Sequence, residues 1–211
     1  EQFVAFGLDP ERTEFVLGSE FQLDEAYVLD RHELELATSM NRAQRSMGAI
    51  AGEDAERVSH AVYPLMQALD IKHLNVDLAV GGMEQRKVHM LARDVLPTLG
   101  EPAPTCLHTP LIADLETGIG KMSSSDGVTI SMEDSTAEIA AKVEAGFCPP
   151  TADPDPEAHL SSDDLPEGVT PADVQLENPV LQLFEYHVFP RFDAVTVERD
   201  ERFGGDVTFE S

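Results

Sequence analysis

Residues 77–97 read DLAVGGMEQRKVHMLARDVLP, and this stretch decides the fold. Asp77–Val80 is a short apolar run ending in Gly81-Gly82, which predicts a buried strand that stops at a glycine turn. From about Glu84 to Leu96 the period changes. Val88, Leu91, Ala92 and Val95 fall on one face of a helix, and Pro97 ends it. A further strand is expected near Cys106–His108. Strand, helix and strand in succession predict an α/β domain with a parallel sheet.

Upstream, residues 14–17 (EFVL) predict a short buried strand before a Gly18-Ser19 turn. Residues 24–51 predict helix, with Leu34, Leu36, Met40, Ala43, Met47 and Ile50 at helical spacing and Gly48 and Gly52 marking the end. A second helix is expected from about Asp54 to Ile71, kinked or restarted at Pro64. Downstream, Glu116–Gly127 is a Gly- and Ser-rich loop. Ser135 and Glu138 form a capping box for a helix whose apolar face is Ile139, Ala140, Val143 and Phe147. Residues 149–176 hold six prolines, seven acids and no Lys or Arg, the composition of a solvated surface insertion. A helix over 179–189 and a hairpin over 197–209, turning at Gly204-Gly205, complete the chain.

Forty Asp and Glu stand against 14 Lys and Arg in 211 residues, a net charge of −26. The acid is dispersed and only Lys72, Lys87, Lys121 and Lys142 are lysines. That pattern suits very salty cytoplasm, where at roughly 1 M salt the Debye length is about 3 Å and self-repulsion is screened. Apolar content of 42% indicates a globular chain, and no apolar run reaches the roughly 18 residues of a membrane span. No signal peptide is expected. Cys106 and Cys148 are far apart, without metal spacing, and reduced thiols are expected. The seven histidines show no metal spacing either.

Four constellations could carry chemistry. Lys121-Met122-Ser123-Ser124-Ser125 follows Thr117-Gly118-Ile119-Gly120, so a cation and three hydroxyls sit on a mobile backbone able to close over a polyphosphate. The same composition also describes a plain serine-rich surface loop. Tyr63, Gln67 and Asp70 share one helix face beside Met66 and Leu69. A carboxylate on a partly apolar wall needs a donor, for which a phenol or an ammonium would serve. Alternatively Asp70 is a helix-end carboxylate facing water. Gly81-Gly82 at the end of a strand, then Glu84 and Gln85 in the first helical turn, lie where open α/β sheets bind ligands. A self-satisfied glycine turn is the competing reading. Arg42, Arg45, Arg86 and Lys87 form a basic patch for phosphate if their two helices are neighbours. Ordinary salt-bridging would also account for them.

Taken in order, YPLMQALD (63–70), VDLAVGGMEQRKVHMLARDVLP (76–97) and KMSSS (121–125) resemble the tyrosyl-tRNA synthetases of the archaeal and eukaryotic branch, a class I family. The resemblance runs from Gly18-Ser19-Glu20-Phe21-Gln22 to Phe203-Gly204-Gly205-Asp206. It implies the second half of a Rossmann-like catalytic domain, with parallel strands and flanking helices. The implied division is a nucleotide-binding domain over 1–150 with dimer-interface helices near 24–51, an acidic insertion over 151–176, and the domain's end over 177–211.

The resemblance also implies roles. Tyr63, Gln67 and Gln85 would meet the α-amino group of tyrosine, and Asp70 would accept its phenolic proton. Gly82 and Glu84 would hold the ribose and adenosine of ATP, with the backbone of Leu111 and Ile112 beside adenine. Lys121, Ser123, Ser124 and Ser125 would grip pyrophosphate, with Mg²⁺ arriving on ATP and no protein-held metal. Arg45 and Arg86 would read the tRNA(Tyr) acceptor stem. A cytoplasmic homodimer is implied. Ser124 stands where many class I enzymes carry a second lysine. The HxGH motif is absent from these residues and expected before Glu1, and an anticodon-binding domain is expected beyond the hairpin. These 211 residues alone are accordingly expected not to form adenylate. Two rivals stay open: a tryptophanyl enzyme, which shares fold and loop, and a catalytically incomplete interaction module.

Overall fold

The computed structural model describes residues 2–51, 57–123, 128–166 and 168–210. The chain divides into two units, Glu1–Leu111 and Ile112–Ser211. The division falls inside the 1–150 stretch expected to form one domain.

The first unit starts with a helical turn, α1 (Gln2–Ala5), and an extended segment leading to the 3-10 turn Gly18–Glu20. Residues 14–17 form no strand, a correction to the sequence reading. Phe15 and Leu17 are exposed, and no described strand lies alongside to complete a ladder, without which an extended segment remains a loop. Helices α2 (Glu25–Ala37) and α3 (Met40–Ala51) replace the single region expected over 24–51, with a break at Thr38-Ser39. Leu34, Ala43 and Met47 are buried as expected, whereas Leu36 and Met40 are exposed. Gly52 and Asp54, expected to end one helix and begin the next, lie outside the described residues.

Helix α4 (Val58–His73) runs through Pro64 without interruption and ends two residues beyond the expected Ile71. An interior proline costs about 3 kcal/mol. Burying Leu65, Leu69 and Ile71 along the same helix contributes about 1.5–3 kcal/mol each, enough to carry the helix past it. Strand β1 (Leu78–Gly82), the 3-10 turn Met83–Gln85, α5 (Arg86–Val95), the 3-10 turn Leu96–Leu99 and β2 (Thr105–Thr109) follow. Strands β1 and β2 pair in parallel, Leu78 opposite Thr105 and Gly82 opposite Thr109, so the α/β expectation is met.

One face of the β1–β2 pair buries Ala79 and packs Cys106 against a core of Tyr27, Leu34, Leu65, Ala68, Leu69, Leu91, Ala92 and Val95. The opposite face leaves Leu78, Val80 and Leu107 exposed. Parallel strands normally have both faces covered; among the described residues only one face of this pair is.

In the second unit Ser135 accepts from the Glu138 N–H while the Glu138 side chain accepts from the Ser135 N–H, capping α6 (Thr136–Glu144) as expected. Its apolar face is shallower than expected: Ala140 is exposed, and Ile139, Val143 and Phe147 are half-buried. The acidic stretch is mostly exposed but holds a helical turn, α7 (Pro156–His159), and is tied down at both ends. Leu176 is buried and bridges Ile119. Asn178, 1% exposed, donates to the carbonyls of Pro149 at 2.8 Å and Thr151 at 3.1 Å. The same side chain caps α8 (Pro179–Leu183) by accepting from Leu181 N–H at 3.0 Å. A π-helical turn, Phe184–Val188, continues α8. Strands β3 (Ala194–Val197) and β4 (Val207–Glu210) form the expected hairpin. No helix among the described residues is long and apolar enough to cross a membrane.

Candidate functional site

The first unit brings Tyr63, Gln67, Asp70 and Gln85 together by helical spacing on α4 and by the turn after β1. Gln67 Nε2 donates to Gln85 Oε1 at 3.0 Å. Gln67 Oε1 is buried without a hydrogen-bond partner among the described residues, which leaves an acceptor waiting for a donor. Tyr63 is about half exposed.

Asp70 is not a carboxylate facing water. Its Oδ1 accepts from Gln22 Nε2 at 2.9 Å and from Tyr27 Oη at 2.8 Å. Tyr27 is fully buried, with Phe21 edge-on at 5.6 Å between ring centroids. Its hydroxyl lies 2.8 Å from Met66 O as well. Burial, and then the Asp70 carboxylate beside it, push the Tyr27 phenol far above its ordinary value. The phenol that the Asp70 environment called for is thus partly supplied by the chain itself. Sequence reasoning missed Tyr27 and Gln22. One signal was available: Tyr27 stands seven residues before Leu34, on the same buried face of α2.

At the end of β1 the two glycines leave room for different neighbours. A Cβ on Gly81 would meet Gln85 Cβ at 3.1 Å and His89 Cε1 at 3.3 Å. One on Gly82 would collide with the Glu84 carboxylate. Glu84 Oε2 is buried and unpartnered among the described residues, a second acceptor in wait. Beneath Gly81, the buried His89 places Nδ1 3.0 Å from His108 Nε2. Burial, and then His108, push His89 below its ordinary value. Leu111 is half-buried at the end of this unit.

The second unit builds the Lys121 loop. Asp114 Oδ1 accepts from Thr117 N at 2.9 Å, Thr117 Oγ1 at 2.8 Å and Glu116 N at 3.2 Å. Gly118 is left-handed at φ +71°; its N–H donates to Asp114 O at 2.8 Å and its carbonyl accepts from Glu177 N–H at 2.9 Å. Met122 N–H donates to Ile112 O at 2.7 Å. The stretch expected to be mobile is therefore pinned through 114–122. Lys121 itself is exposed and makes no hydrogen bond or ion pair among the described residues. The Ser123 carbonyl accepts from Thr129 Oγ1 at 2.5 Å. Ser124 and Ser125 lie outside the described residues. No three His, Cys, Asp or Glu side chains among the described residues cluster as metal ligands.

Helices α3 and α5 are neighbours. Arg42, Arg45, Arg86 and Lys87 line one open cavity of about 380 Å³ together with Asp94. Arg42 pairs with Asp94, and Arg45 Nε donates to Asn41 O at 3.2 Å. One of the four cations is thus neutralised locally.

Comparison with known proteins sets these groups in context. Residues 1–162 match the model of the tRNA synthetases class I (W and Y). The chain is 62% identical over 211 residues to the tyrosine–tRNA ligase of Halorubrum lacusprofundi, all of this chain and 60% of that protein. The crystal structure of tyrosyl-tRNA synthetase complexed with L-tyrosine from Archaeoglobus fulgidus superposes with a TM-score of 0.77 at 46% identity, over all of this chain and 59% of that one. The tryptophanyl-tRNA synthetase of Giardia lamblia shares the fold, with a TM-score of 0.61 at 20% identity over 91% of this chain and 52% of that one. The chain spans about 60% of the length of the curated relatives it matches.

Proposed function

The chain belongs to the class I tRNA synthetase family of the tryptophanyl and tyrosyl enzymes, and from this premise we propose that it serves ATP-dependent activation of L-tyrosine and its transfer to tRNA(Tyr). The observation that carries the proposal is Asp70, a carboxylate on a half-apolar helix face whose Oδ1 is held by Tyr27 and Gln22. The tyrosine phenol would donate to Oδ2. A site built to pair a substrate hydroxyl rejects the analogue lacking it, because the buried acceptor is then left without its donor; tyrosyl-tRNA synthetase is the standard example of that rule. Tyr63, Gln67 and Gln85 would hold the α-amino group, and the unpartnered Gln67 Oε1 is an acceptor suited to an ammonium.

ATP, carrying Mg²⁺ as part of the substrate, would place its ribose and adenosine against Gly82 and Glu84 and its adenine beside the Leu111 and Ile112 backbone. In the first step a tyrosine carboxylate oxygen attacks the α-phosphorus. The bond to the β-phosphate oxygen breaks and pyrophosphate leaves; Lys121, Ser123, Ser124 and Ser125 are the groups proposed to grip it. In the second, a terminal ribose hydroxyl of the tRNA attacks the tyrosyl carbonyl and AMP leaves. Positioning and charge stabilisation account for such chemistry without a covalent enzyme nucleophile. Arg45 and Arg86, unlike the paired Arg42, are the cations of the α3–α5 cavity assigned to the acceptor stem. The reaction belongs to the cytoplasm, where ATP and tRNA meet.

Amino-acid-dependent ATP–pyrophosphate exchange by the intact protein in molar KCl tests the proposal. Tyrosine, not tryptophan, is expected to drive exchange; the reverse response would end the tyrosine reading. In the same preparation, neutralising Arg45 and Arg86 together is expected to weaken tRNA charging while leaving exchange unchanged. Equal loss in both steps would remove the acceptor-stem role.

A further inference from the structure

Asp70 has two carboxylate oxygens, and both resident donors are on one of them. Gln22 Nε2 and Tyr27 Oη converge on Oδ1, and Oδ2 accepts nothing among the described residues. Two independent elements impose this asymmetry. Tyr27 belongs to α2 and is locked by complete burial, by the edge of Phe21 and by His73 at 4.8 Å between ring centroids. Its single proton has a charged and a neutral acceptor at the same distance, Asp70 Oδ1 and Met66 O, and the charged one binds it more strongly. Gln22 comes from the turn before α2, where its N–H donates to Gly18 O at 2.8 Å. Its side-chain amide folds back over Gly18 so closely that a Cβ there would sit 2.6 Å from Gln22 Oε1. A Cβ at position 18 would therefore have to displace the Gln22 amide from this position.

We propose that Tyr27 is a positioning residue for tyrosine selection: with Gln22 it fixes Oδ1 of Asp70 and thereby aims Oδ2 as the acceptor for the substrate phenol. The inference rests on the tyrosine reading above. Tyr27 touches no substrate in this role; it acts through Asp70. A carboxylate held at one oxygen cannot swing to meet an imperfect ligand, and holding a polar group in the productive geometry is what separates a selective site from a loose one.

The test uses the intact protein in molar KCl and the exchange rates with tyrosine and with phenylalanine. Tyr27→Phe keeps the buried ring and removes only the hydroxyl. Its expected result is at least about a tenfold fall in the tyrosine-over-phenylalanine ratio of kcat/KM, the size of one hydrogen bond to a charged group. The fall is expected to come from a raised KM for tyrosine, with KM for ATP unchanged. Gly18→Ala, which displaces Gln22 without touching the core, is expected to move the ratio in the same direction by less. In an Asp70→Asn background Tyr27→Phe is expected to add nothing. A lowered melting temperature with an unchanged ratio, or an effect of Tyr27→Phe that persists without the carboxylate, would overturn the inference. Should Tyr27→Phe fail to fold, an unchanged ratio in Gly18→Ala overturns it. Absence of tyrosine-dependent exchange in the unaltered protein would instead remove the reading on which it rests.

Discussion

Lys72 and His73, side by side in the last turn of α4, close on one oxygen of Asp30 at 2.7 and 2.8 Å. Burial opposes ionisation of Asp30, but the hydrogen bonds and charges of its two partners outweigh it and hold the carboxyl below its ordinary value of 3.8. A carboxyl whose pKa is depressed by folding contributes stability that is complete above its unfolded value and is lost as pH falls through the folded one. The wild type is therefore expected to exceed Asp30→Asn in urea midpoint at pH 5 to 7. The gap should close below about pH 4; a gap that is independent of pH would show that Asp30 acts by packing alone. The same scale marks the limit of sequence reading. The need of Asp70 for a donor was legible from Met66 and Leu69 beside it. That the chain would itself supply a phenol from 43 residues away was not, because only tertiary packing brings α2 against α4.

The Lys121 loop shows how an element depends on one backbone conformation. Gly118 is left-handed, and a Cβ there would lie 2.5 Å from Glu177 O and 2.6 Å from Phe147 Cδ1. The carbonyl is backbone and cannot step aside. Gly118→Ala is expected to cost about 1–3 kcal/mol of stability in denaturant titration, from strain at positive φ added to the clash. It should slow exchange while leaving KM for tyrosine unchanged, because the residues proposed to read tyrosine belong to the other unit. An alanine variant with unaltered stability would show that the loop does not rest on this turn. Elements with a strong local signal were legible: the Ser135–Glu138 capping box, the buried stripe of α5 and the hairpin at Gly204-Gly205. Elements whose fate depends on distant partners were not. Residues 14–17 have strand composition but no ladder among the described residues. Residues 149–151 have loop composition yet are held by Asn178 from the far side of the acidic stretch.

At the scale of the whole molecule, charge and exposed apolar surface set the terms. Helices α2 and α3 present Leu29, Leu36 and Met40 to solvent, although the other faces of the same helices are core. We propose that this surface pairs with a second copy, and sedimentation of the intact protein at high salt is expected to give a dimer; a monomer at all concentrations would exclude it. The net charge of −26 works against that pairing at low ionic strength, and salt relieves it by shortening the reach of each charge. Salt acts on the exposed face of the β1–β2 pair in the same sense. Salts that are excluded from protein surface raise the free energy of keeping Leu78, Val80 and Leu107 wet. The brine that quiets the acid coat therefore also favours cover over Leu78, Val80 and Leu107, the face that the described residues leave open, so both actions of the same salt turn the chain toward a partner.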